Sequence, residues 1–451
     1  MANTIIKHDP STAGSNRYKY TISGWFKRTT LAERQMFLRF DDEGGGYFFF
    51  EFKADDTLGF NDYDGGSSGR CEYAVTSRKF RDPNAYYNII LTVDSTQVSA
   101  SNRVKIWVNG ELQSLTSIGS EVCPSNYQTF ATSGALQYVG GDGVFTTRYY
   151  GGVISHLHFC EGYAYDETDF GSTDSTTGEW KINTSPSVNY GTNGFFLFKD
   201  DNSLTDRSGQ NNNFSTHSGT LTKTEDNPSN VFCVLNPLQG IAHPSYTNGN
   251  TKCGSSSDND RAIGTIPSKA GYYEVKLVQA PVGGTGSGLI WGVYDVSNNP
   301  ALTLDSQRWF KTNYGYDTHY ATINFGQGNS WENQTTGLTA SAGDILMMAW
   351  KNGKLYAGYN GTWFFGANPS TDTDGSVQMP LADANAYQAP LGRSNLSGLT
   401  NAEFNFGNGY FGTTAVTTNS GSGYSDSNGE GIFNYQPPTG TYACCTKNLN
   451  T

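Results

Sequence analysis

The sequence has few charged residues and no long apolar run. Asp, Glu, Lys and Arg make up 16% of its 451 residues, and 29 basic against 41 acidic side chains give a formal net charge of -12. Proteins that bind nucleic acid gather lysine and arginine on one surface, and this sequence has no such basic cluster. No apolar run approaches the roughly 20 residues that a membrane-spanning helix needs. We therefore expect neither a nucleic-acid partner nor insertion into a membrane.

Cysteine is also scarce, and a leader peptide is not evident. The seven cysteines are an odd number spread over a long chain, and no pair has the C-x-x-C spacing of a zinc site. This pattern predicts free thiols that pack as small apolar side chains, as in a protein folded in a reducing cytoplasm. Residues 1–8 contain no apolar stretch long enough for a signal peptide, so we expect folding in the cytoplasm.

Aromatic residues and glycine are abundant, and apolar residues alternate with polar ones. Aromatic residues make up 14% of the chain, which also contains 54 glycines. Segments such as Tyr47–Phe52 and Val104–Val108 have the composition of strands, and helical periodicity is almost absent. The dipeptides Asn109-Gly110, Asn352-Gly353 and Asn360-Gly361 follow such segments and predict tight hairpin turns. These features indicate an all-β protein.

The strand-like segments fall into two blocks. Residues 1–219 form the first block, 220–237 a linker and 238–412 the second block, while 413–451 have the composition of a Gly/Ser-rich loop and a C-terminal tail. Short strands with turn residues between them are typical of antiparallel sandwiches. The sequence therefore predicts two antiparallel jelly-roll sandwiches in tandem with a short C-terminal tail.

Both blocks resemble known domains. Residues 21–27, 87–94 and 104–110 of the first block resemble the opening strand and a hairpin of concanavalin A-like lectin or laminin-G-like jelly rolls. The segment 195–214 resembles the part that opens such domains elsewhere, which implies that the end of this block closes beside its beginning. In the second block, segments including 271–275, 352–356 and 404–407 resemble a SPRY domain, another concanavalin-like sandwich.

Two further segments resemble viral proteins. Residues 162–171 and 190–198 are similar to a stretch shared by phage and algal-virus versions of the first domain. Residues 226–237 and 437–449 resemble segments that flank SPRY-like domains in marine phage structural proteins. These resemblances imply a tailed-phage virion protein located on the virion surface.

The sequence offers few candidates for catalytic residues. Retaining glycosidases need two carboxylates about 5–5.5 Å apart. The nearest match to the Glu-x-Asp-x-(x)-Glu pattern of laminarinase-like families is Glu167-Thr168-Asp169, and the second Glu is missing. His156 and His158 would share one face of a strand, but no third metal ligand is near them. We therefore expect a protein that is not an enzyme.

Calcium is the metal that the resemblance suggests, because lectin-like jelly rolls often bind it through loop oxygens. The candidate ligands Asp200, Asp201, Asp206 and Asn211 lie in a loop that resembles a calcium-bearing one. A second cluster, Asp372 and Asp374, lacks the closing Glu of an EF-hand. In both places the residues are also typical of simple turns.

Sugar binding requires aromatic rings beside polar side chains in loops. Two segments of the second block have this composition, and residues 61–73 of the first block are a weaker match. Trp363 follows a turn and is expected to pack in the core. The candidate glycan-binding residues are Tyr314, Tyr316, Asp317, His319, Trp331 and Asn333.

Three functions remain open from the sequence. The first is a surface-displayed tail fibre or spike component that binds a host cell-surface glycan. The second is an architectural capsid-decoration or tail protein that binds other virion proteins without recognising glycans. The third is a polysaccharide hydrolase, which the missing carboxylate disfavours. In either virion role we expect a homo-oligomer, which would be a trimer in a fibre.

Overall fold

In a computed structural model, the protein is built almost entirely from β-strands. The structure describes residues 3–66, 70–117, 123–145, 147–238, 245–254, 261–279, 288–297, 307–314, 321–327, 330–332, 340–375, 381, 385–395, 401–417 and 423–450. Within these ranges there is no α-helix, and hence no helix able to cross a membrane. The chain divides into two compact units, one of residues 1–223 and 227–229 and the other of 224–226 and 230–451.

The first unit is a sandwich of two antiparallel sheets. One sheet has eight strands in the order β10-β6-β5-β4-β3-β11-β1-β16, and the other has six in the order β15-β12-β2-β7-β8-β9, while β13 and β14 form a separate hairpin. The strands are β1 Ile5–His8, β2 Lys19–Arg28, β3 Gln35–Asp41, β4 Tyr47–Phe52, β5 Thr57–Tyr63, β6 Arg70–Lys79, β7 Tyr86–Asp94, β8 Val104–Val108, β9 Glu111–Leu112, β10 Leu115–Ser117, β11 Leu136–Val139, β12 Gly152–Glu161, β13 Gly171–Thr173, β14 Trp180–Ile182, β15 Phe195–Leu197 and β16 Ser215–Ser218.

The core of this unit lies between the two sheets. Strand β4 shows how the sequence builds it, because alternate side chains of a strand point to opposite faces. Phe48, Phe50 and Phe52 belong to the core and are fully buried, whereas Tyr47 and Phe49 do not belong to it. An aromatic strand of this kind therefore supplies both the core and the opposite face of its sheet.

The end of the first unit pairs with its beginning. Strand β16 is antiparallel to β1 at the edge of the eight-stranded sheet, as the sequence predicted. A further apolar cluster joins Phe170 and Tyr190 of the loop after β12 to Ile90 and Trp107 of the six-stranded sheet. The ends of the unit and its longest loop are thus both fixed by packing or pairing.

Two cysteines correct the prediction of free thiols. Cys71 on β6 and Cys123 are joined by a disulfide that spans 52 residues. The other five cysteines are free and buried, as predicted. The prediction was wrong for the bonded pair because the two cysteines are 52 residues apart, and a spacing of this length does not show that they are adjacent in the folded unit.

The second unit also has two antiparallel sheets. The seven-stranded sheet has the order β17-β18-β29-β20-β25-β26-β27, the six-stranded sheet has the order β19-β28-β21-β22-β23-β24, and β30 pairs with β31. The strands are β17 Ser245–Thr247, β18 Lys252–Gly254, β19 Arg261–Ile263, β20 Gly271–Leu277, β21 Gly288–Asp295, β22 Gln307–Tyr314, β23 Ala321–Gln327, β24 Ser330–Glu332, β25 Ile345–Lys351, β26 Lys354–Tyr359, β27 Thr362–Trp363, β28 Gln388–Asn395, β29 Asn401–Asn405, β30 Tyr410–Phe411 and β31 Thr414–Ala415.

Short 3-10 helices occur in the connections of both units. In the first unit they are Ala100–Asn102, Phe130–Thr132 and Glu167–Asp169. In the second unit they are Phe364–Gly366, Pro369–Thr371 and Thr446–Asn448.

The predicted Asn-Gly turns connect neighbouring strands. Asn352 and Gly353 join β25 to β26 with φ angles of 49° and 75°. Two successive positive φ values are those of a type I′ turn, whose twist matches that of paired strands. The turn after β8 has the same form.

The C-terminal segment, residues 423–449, packs against the seven-stranded sheet of the second unit. Phe433, Ala443 and Cys445 are buried in a cluster with Tyr272 of β20, on the side of that sheet opposite the main core. Phe232 forms an antiparallel bridge with Cys445. Residues whose composition is that of a tail are thus part of the packed unit.

Candidate functional site

The first unit carries a polar and aromatic surface on its eight-stranded sheet. Residues paired directly across antiparallel strands share a face. Arg39 of β3, Phe49 of β4 and Asn61 of β5 are paired in one row, and the next row contains Tyr47 and Tyr63. None of them belongs to the core. We call this side of the sheet the outer face.

Three arginines on the outer face lie over aromatic rings. The guanidinium carbon of Arg39 is 5.1 Å from the ring centre of Tyr47, and that of Arg70 is 4.5 Å from the ring centre of Tyr63. Arg34 lies 5.2 Å from the ring centre of Phe49. Such contacts fix both partners, since a cation is attracted to the negative face of a ring. The rings of Tyr47 and Tyr63 are also in contact, with centres 5.4 Å apart.

Carboxylates balance part of this positive charge. Glu51 accepts a hydrogen bond from Nε of Arg34 at 2.5 Å, and Asp41 is paired with Arg39. Burial raises the pKa of Glu51, and the Arg34 guanidinium opposes this rise. The outer face therefore combines hydrogen-bond donors and acceptors without a large net charge.

Some side chains of the outer face are buried, and others are partly exposed. Phe49, Glu51 and Asn61 are each less than 5% exposed, whereas Tyr47 and Tyr63 are half-buried. The Oδ1 atom of Asn61 is buried and accepts no hydrogen bond. A buried acceptor without a donor is uncommon in folded proteins.

A turn folds over one end of the outer face. Asp142 and Thr147 form an isolated antiparallel bridge after β11. Gly143 packs so closely on the ring of Tyr138, which lies on the outer face, that a side chain at position 143 would clash with the ring. Arg148 follows this turn and lies 3.5 Å from Asp142. Phe145 at the tip of the turn is 61% exposed.

The glycan-binding candidates from the sequence lie in the second unit. Tyr316, Asp317, His319 and Asn333 are outside the described residues. Tyr314 ends β22 and Trp331 lies on β24, and for these two the structure describes the strand alone. Their role in binding stays a prediction.

The calcium candidates have separate roles in the loop after β15. Asp206 accepts the backbone N–H groups of Phe196 and Ser208 on Oδ1, and that of Asn212 on Oδ2. Asp201 accepts the N–H of Ser203 at 2.6 Å. These are the bonds of turn-forming aspartates. Asp200 is exposed and lies 4.0 Å from Arg207, and Asn211 is exposed with a φ of 64°.

Other clusters considered from the sequence are also engaged within the fold. Lysines neutralise the Asp372 and Asp374 pair, because Lys351 lies 3.2 Å from Asp372 and Lys354 lies 3.0 Å from Asp374. Across the described ranges, no group of three or more His, Cys, Asp or Glu side chains has the geometry of a metal site.

The histidine pair and the acidic pair considered in the first unit are likewise engaged in contacts within the fold. His156 and His158 both contact the ring of Phe196, and Nδ1 of His158 lies 2.9 Å from the hydroxyl of Tyr190. Burial lowers the pKa of both histidines, to about 4 for His156. Glu167 and Asp169 lie in a short 3-10 helix closed by a capping box. They are not on a strand facing a substrate.

Trp363 is only partly in the interior. It is half-buried on β27 and packs at 6.4 Å, centre to centre, against Tyr272 beneath the C-terminal segment. The sequence placed it in the core, and the structure places it at the edge of the second apolar cluster instead. A strand of two residues at the sheet edge cannot bury a tryptophan on both sides.

The outer face was largely missed by sequence reasoning. Only the weaker match at residues 61–73 touches it, through Asn61, Tyr63 and Arg70. The available signal was Tyr47–Phe52, where aromatic residues occupy both faces of one strand. Aromatic residues on the second face of a sheet can create an exposed apolar patch, and such patches mark interaction sites when they are large.

The sequence of the first unit matches a known family model. Residues 3–163 match the model described as the concanavalin A-like lectin/glucanases superfamily, which is a laminin G model. This range includes β3 to β6 and β11, the strands that carry the residues of the outer face named above. No curated protein matches the sequence.

Solved structures give distant likenesses. Domains LG4-5 of the mouse laminin α1 chain align over 88% of this chain and 86% of their own, with 8% identity and a TM-score of 0.31. A pentraxin from Limulus polyphemus covers 36% of this chain and 72% of its own, with 13% identity and a TM-score of 0.27. The SPRY domain of human HERC1 covers 38% of this chain and 96% of its own, with 12% identity and a TM-score of 0.27.

Proposed function

We propose that this chain is a glycan-binding protein and that its first unit binds sugar on the outer face. The observation that carries this proposal is the set of guanidinium–ring pairs on neighbouring strands, Arg39 with Tyr47 and Arg70 with Tyr63. Binding sites for small polar ligands combine aromatic surface with a few fixed hydrogen-bonding groups. A lectin-like fold over residues 3–163 supports the same role.

The chemistry of the outer face suits a polyhydroxylated ligand. Tyr47 and Tyr63 are half-buried and each has a hydroxyl group, and arginine supplies several N–H donors in a fixed plane. Glu51 and Asp41 are buried on the same sheet, where they pair with Arg34 and Arg39 and hold these arginines in place. Because the rings and guanidinium groups already hold one another, little side-chain entropy is lost when a sugar binds.

Binding of the purified full chain to intact host cells and to their extracted surface polysaccharide tests this proposal. We expect saturable binding, and we expect Tyr63→Ala and Arg70→Ala each to weaken it by about tenfold, the effect of losing one good contact. Tyr163→Ala and Arg78→Ala are matched controls. Tyr163 is 40% exposed and stacks on Tyr165, and Arg78 pairs with Glu111.

The outcomes separate the candidate functions. Equal weakening by the control variants would mean that the outer face is not the site. An absence of binding to both cells and polysaccharide would overturn the glycan-binding proposal and favour the architectural role, in which the chain binds other virion proteins. Release of reducing sugar would reveal a hydrolase, against our proposal that the chain binds without catalysis.

Calcium remains part of the proposal and has its own test. Asp200 and Asp201 are exposed carboxylates in the loop after β15, while Asp206 is occupied by backbone donors. A chelator in the binding assay is expected to weaken binding if calcium shapes this loop. Unchanged binding with chelator, together with no uptake of calcium by the protein in equilibrium dialysis, would remove calcium from the proposal.

We further propose that the chain is displayed on the surface of a tailed-phage particle as a homo-oligomer. The support is the resemblance of residues 226–237 and 437–449 to segments of phage structural proteins. Surface display is compatible with the Cys71–Cys123 disulfide, since disulfides persist in oxidising surroundings. Labelling of intact particles with antibody to the chain tests the location, and light scattering of the purified chain tests for a trimer.

A further inference from the structure

We propose that Asp142, Phe145 and Arg148 form a subsite for a neutral pyranose at the end of the outer face. This inference rests on the proposed glycan-binding function and names the class of sugar. The three residues belong to the turn that folds over Tyr138. Together they supply an apolar ring, a hydrogen-bond acceptor and a hydrogen-bond donor.

Phe145 has an exposed side chain on a backbone that is held by hydrogen bonds to Asp142. It is 61% exposed, and its neighbour Val144 is 40% exposed. The backbone N–H groups of Val144 and Phe145 donate to Oδ1 of Asp142 at 3.1 and 3.4 Å. A single exposed apolar residue is ordinary on a protein surface. What points to a ligand is therefore the carboxylate of Asp142, which accepts the backbone N–H of Phe145.

Asp142 holds an unused acceptor at this place. The residue is 0% exposed, and its Oδ2 atom accepts no hydrogen bond. Nη1 of Arg148 lies 3.5 Å from this oxygen, which is an ion-pair contact too long for a good hydrogen bond. A buried carboxylate oxygen without a donor is unfavourable. A ligand hydroxyl placed between Asp142 and Arg148 would supply the missing bond.

Arg148 can move aside to let such a hydroxyl reach Asp142, and it can bind a second hydroxyl of the same sugar. Its side chain is 37% exposed, so it has room to move outward. It would donate to the oxygen of one hydroxyl while Asp142 accepts from the next, which is the pattern of two adjacent hydroxyls on one sugar ring. The C–H face of that ring would then pack on Phe145, where its apolar surface leaves water.

The charges around the turn favour a neutral sugar. Asp142 and Arg148 balance each other. Burial raises the pKa of Tyr138, and Glu43, Asp41, Asp9 and Asp142 raise it further. A uronate or sulfate placed against Arg148 would lie close to the Asp142 carboxylate, and like charges at short range repel. A neutral pyranose meets no such barrier.

Titration of the full chain with methyl glycosides tests the subsite. The probes are methyl α-glucoside, α-galactoside and α-mannoside, with methyl glucuronide as the charged comparison, followed by saturation-transfer NMR and calorimetry. We expect one of the neutral glycosides to bind, Phe145→Ala to weaken it by about tenfold and Phe145→Trp to retain it. Val144→Ala is the matched control at the adjacent exposed position and should bind as the parent chain does.

The result distinguishes the subsite from the function on which it rests. If Phe145→Ala binds every glycoside as the parent does while Tyr63→Ala still weakens polysaccharide binding, the subsite is wrong and the glycan-binding function stands. Tighter binding of the glucuronide than of any neutral glycoside would overturn the assignment to neutral sugars. Failure of all variants and probes, polysaccharide included, would remove both proposals.

Discussion

The carboxylate of Glu274 accepts the backbone N–H of Tyr435 at 2.7 Å, which joins β20 to a residue 161 positions later. It also accepts the N–H of Asn434 at 2.9 Å and the hydroxyl of Tyr272 at 3.0 Å. Glu274 is fully buried on the side of the seven-stranded sheet that the C-terminal segment covers. One carboxylate therefore fastens that segment to the second unit.

Loss of this carboxylate should destabilise the second unit. Glu274→Ala leaves the N–H groups of Asn434 and Tyr435 buried without an acceptor, so we expect the free energy of unfolding to fall by about 3 kcal/mol. Urea unfolding, with hydrogen exchange to assign the transition to the second unit, measures the change. In the control Glu403→Ala, a partly exposed ion pair with Lys252 is lost, and a decrease below about 1 kcal/mol is expected. Equal decreases would contradict the role of Glu274.

The same residue should make the stability of the second unit depend on pH. Burial raises the pKa of Glu274 from 4.5 to about 7, although hydrogen bonds from Asn434 and Tyr435 oppose the rise. The folded state therefore holds a proton that the unfolded state has released between these values. Its contribution is complete below pH 4.5 and is lost as the pH rises through 7. Relative to Glu274→Gln, the parent chain should lose stability between pH 5 and pH 8, and a constant difference would count against this linkage.

His158 should make the stability of the first unit depend on pH in the opposite direction, with a loss at low pH. It is fully buried, and its pKa lies well below 6.5, first because of burial and then because of the charges of His156 and Lys199. The imidazole of His158 is therefore neutral in the folded state. As the pH falls below 6.5, the unfolded state binds a proton at this residue that the folded state does not bind. We expect the first unit to lose stability in acid and His158→Phe to reduce this loss. Thermal melts from pH 7 down to pH 5 compare the two, with His217→Phe on the exposed β16 as control.

The disulfide gives a prediction about thiol number and stability. Titration of the unfolded, unreduced chain should detect five thiols, and the reduced chain seven. Cys71→Ser with Cys123→Ser should lower the free energy of unfolding of the first unit by about 2–4 kcal/mol, since the bond restricts the unfolded chain. Cys160→Ser is the control for losing a buried thiol outside the bond. Seven thiols before reduction would refute the pairing.

Much of the fold could be predicted from local sequence. The strand prediction for Tyr47–Phe52 and the Asn352-Gly353 turn depend on neighbouring residues, and the structure confirms an antiparallel all-β architecture in both places. The turn type and the antiparallel direction of the two strands that it joins are determined by a few adjacent residues, so they can be predicted from local sequence. The pairing of β16 with β1 was also predicted, from the resemblance rather than from the residues alone.

The candidate site could not be predicted in the same way. Arg39 meets Tyr47, and Arg70 meets Tyr63, only because two strand registers place them in neighbouring positions. Register arises from the packing of the whole sheet, and a shift by one residue would move every side chain to the other face. Asp142 and Glu274 are likewise defined by burial, which depends on residues distant along the chain.

The pairing of Phe232 with Cys445 has a consequence for synthesis on the ribosome. The first unit can close once β16 has emerged, because its partner β1 is already present. The second unit, in contrast, must wait with one side of its seven-stranded sheet uncovered until residues beyond 430 leave the exit tunnel. During that interval its apolar surface is open to chaperones and to other nascent chains. A product that stops before Phe433 should therefore be cleared by proteases, leaving the first unit as the surviving fragment.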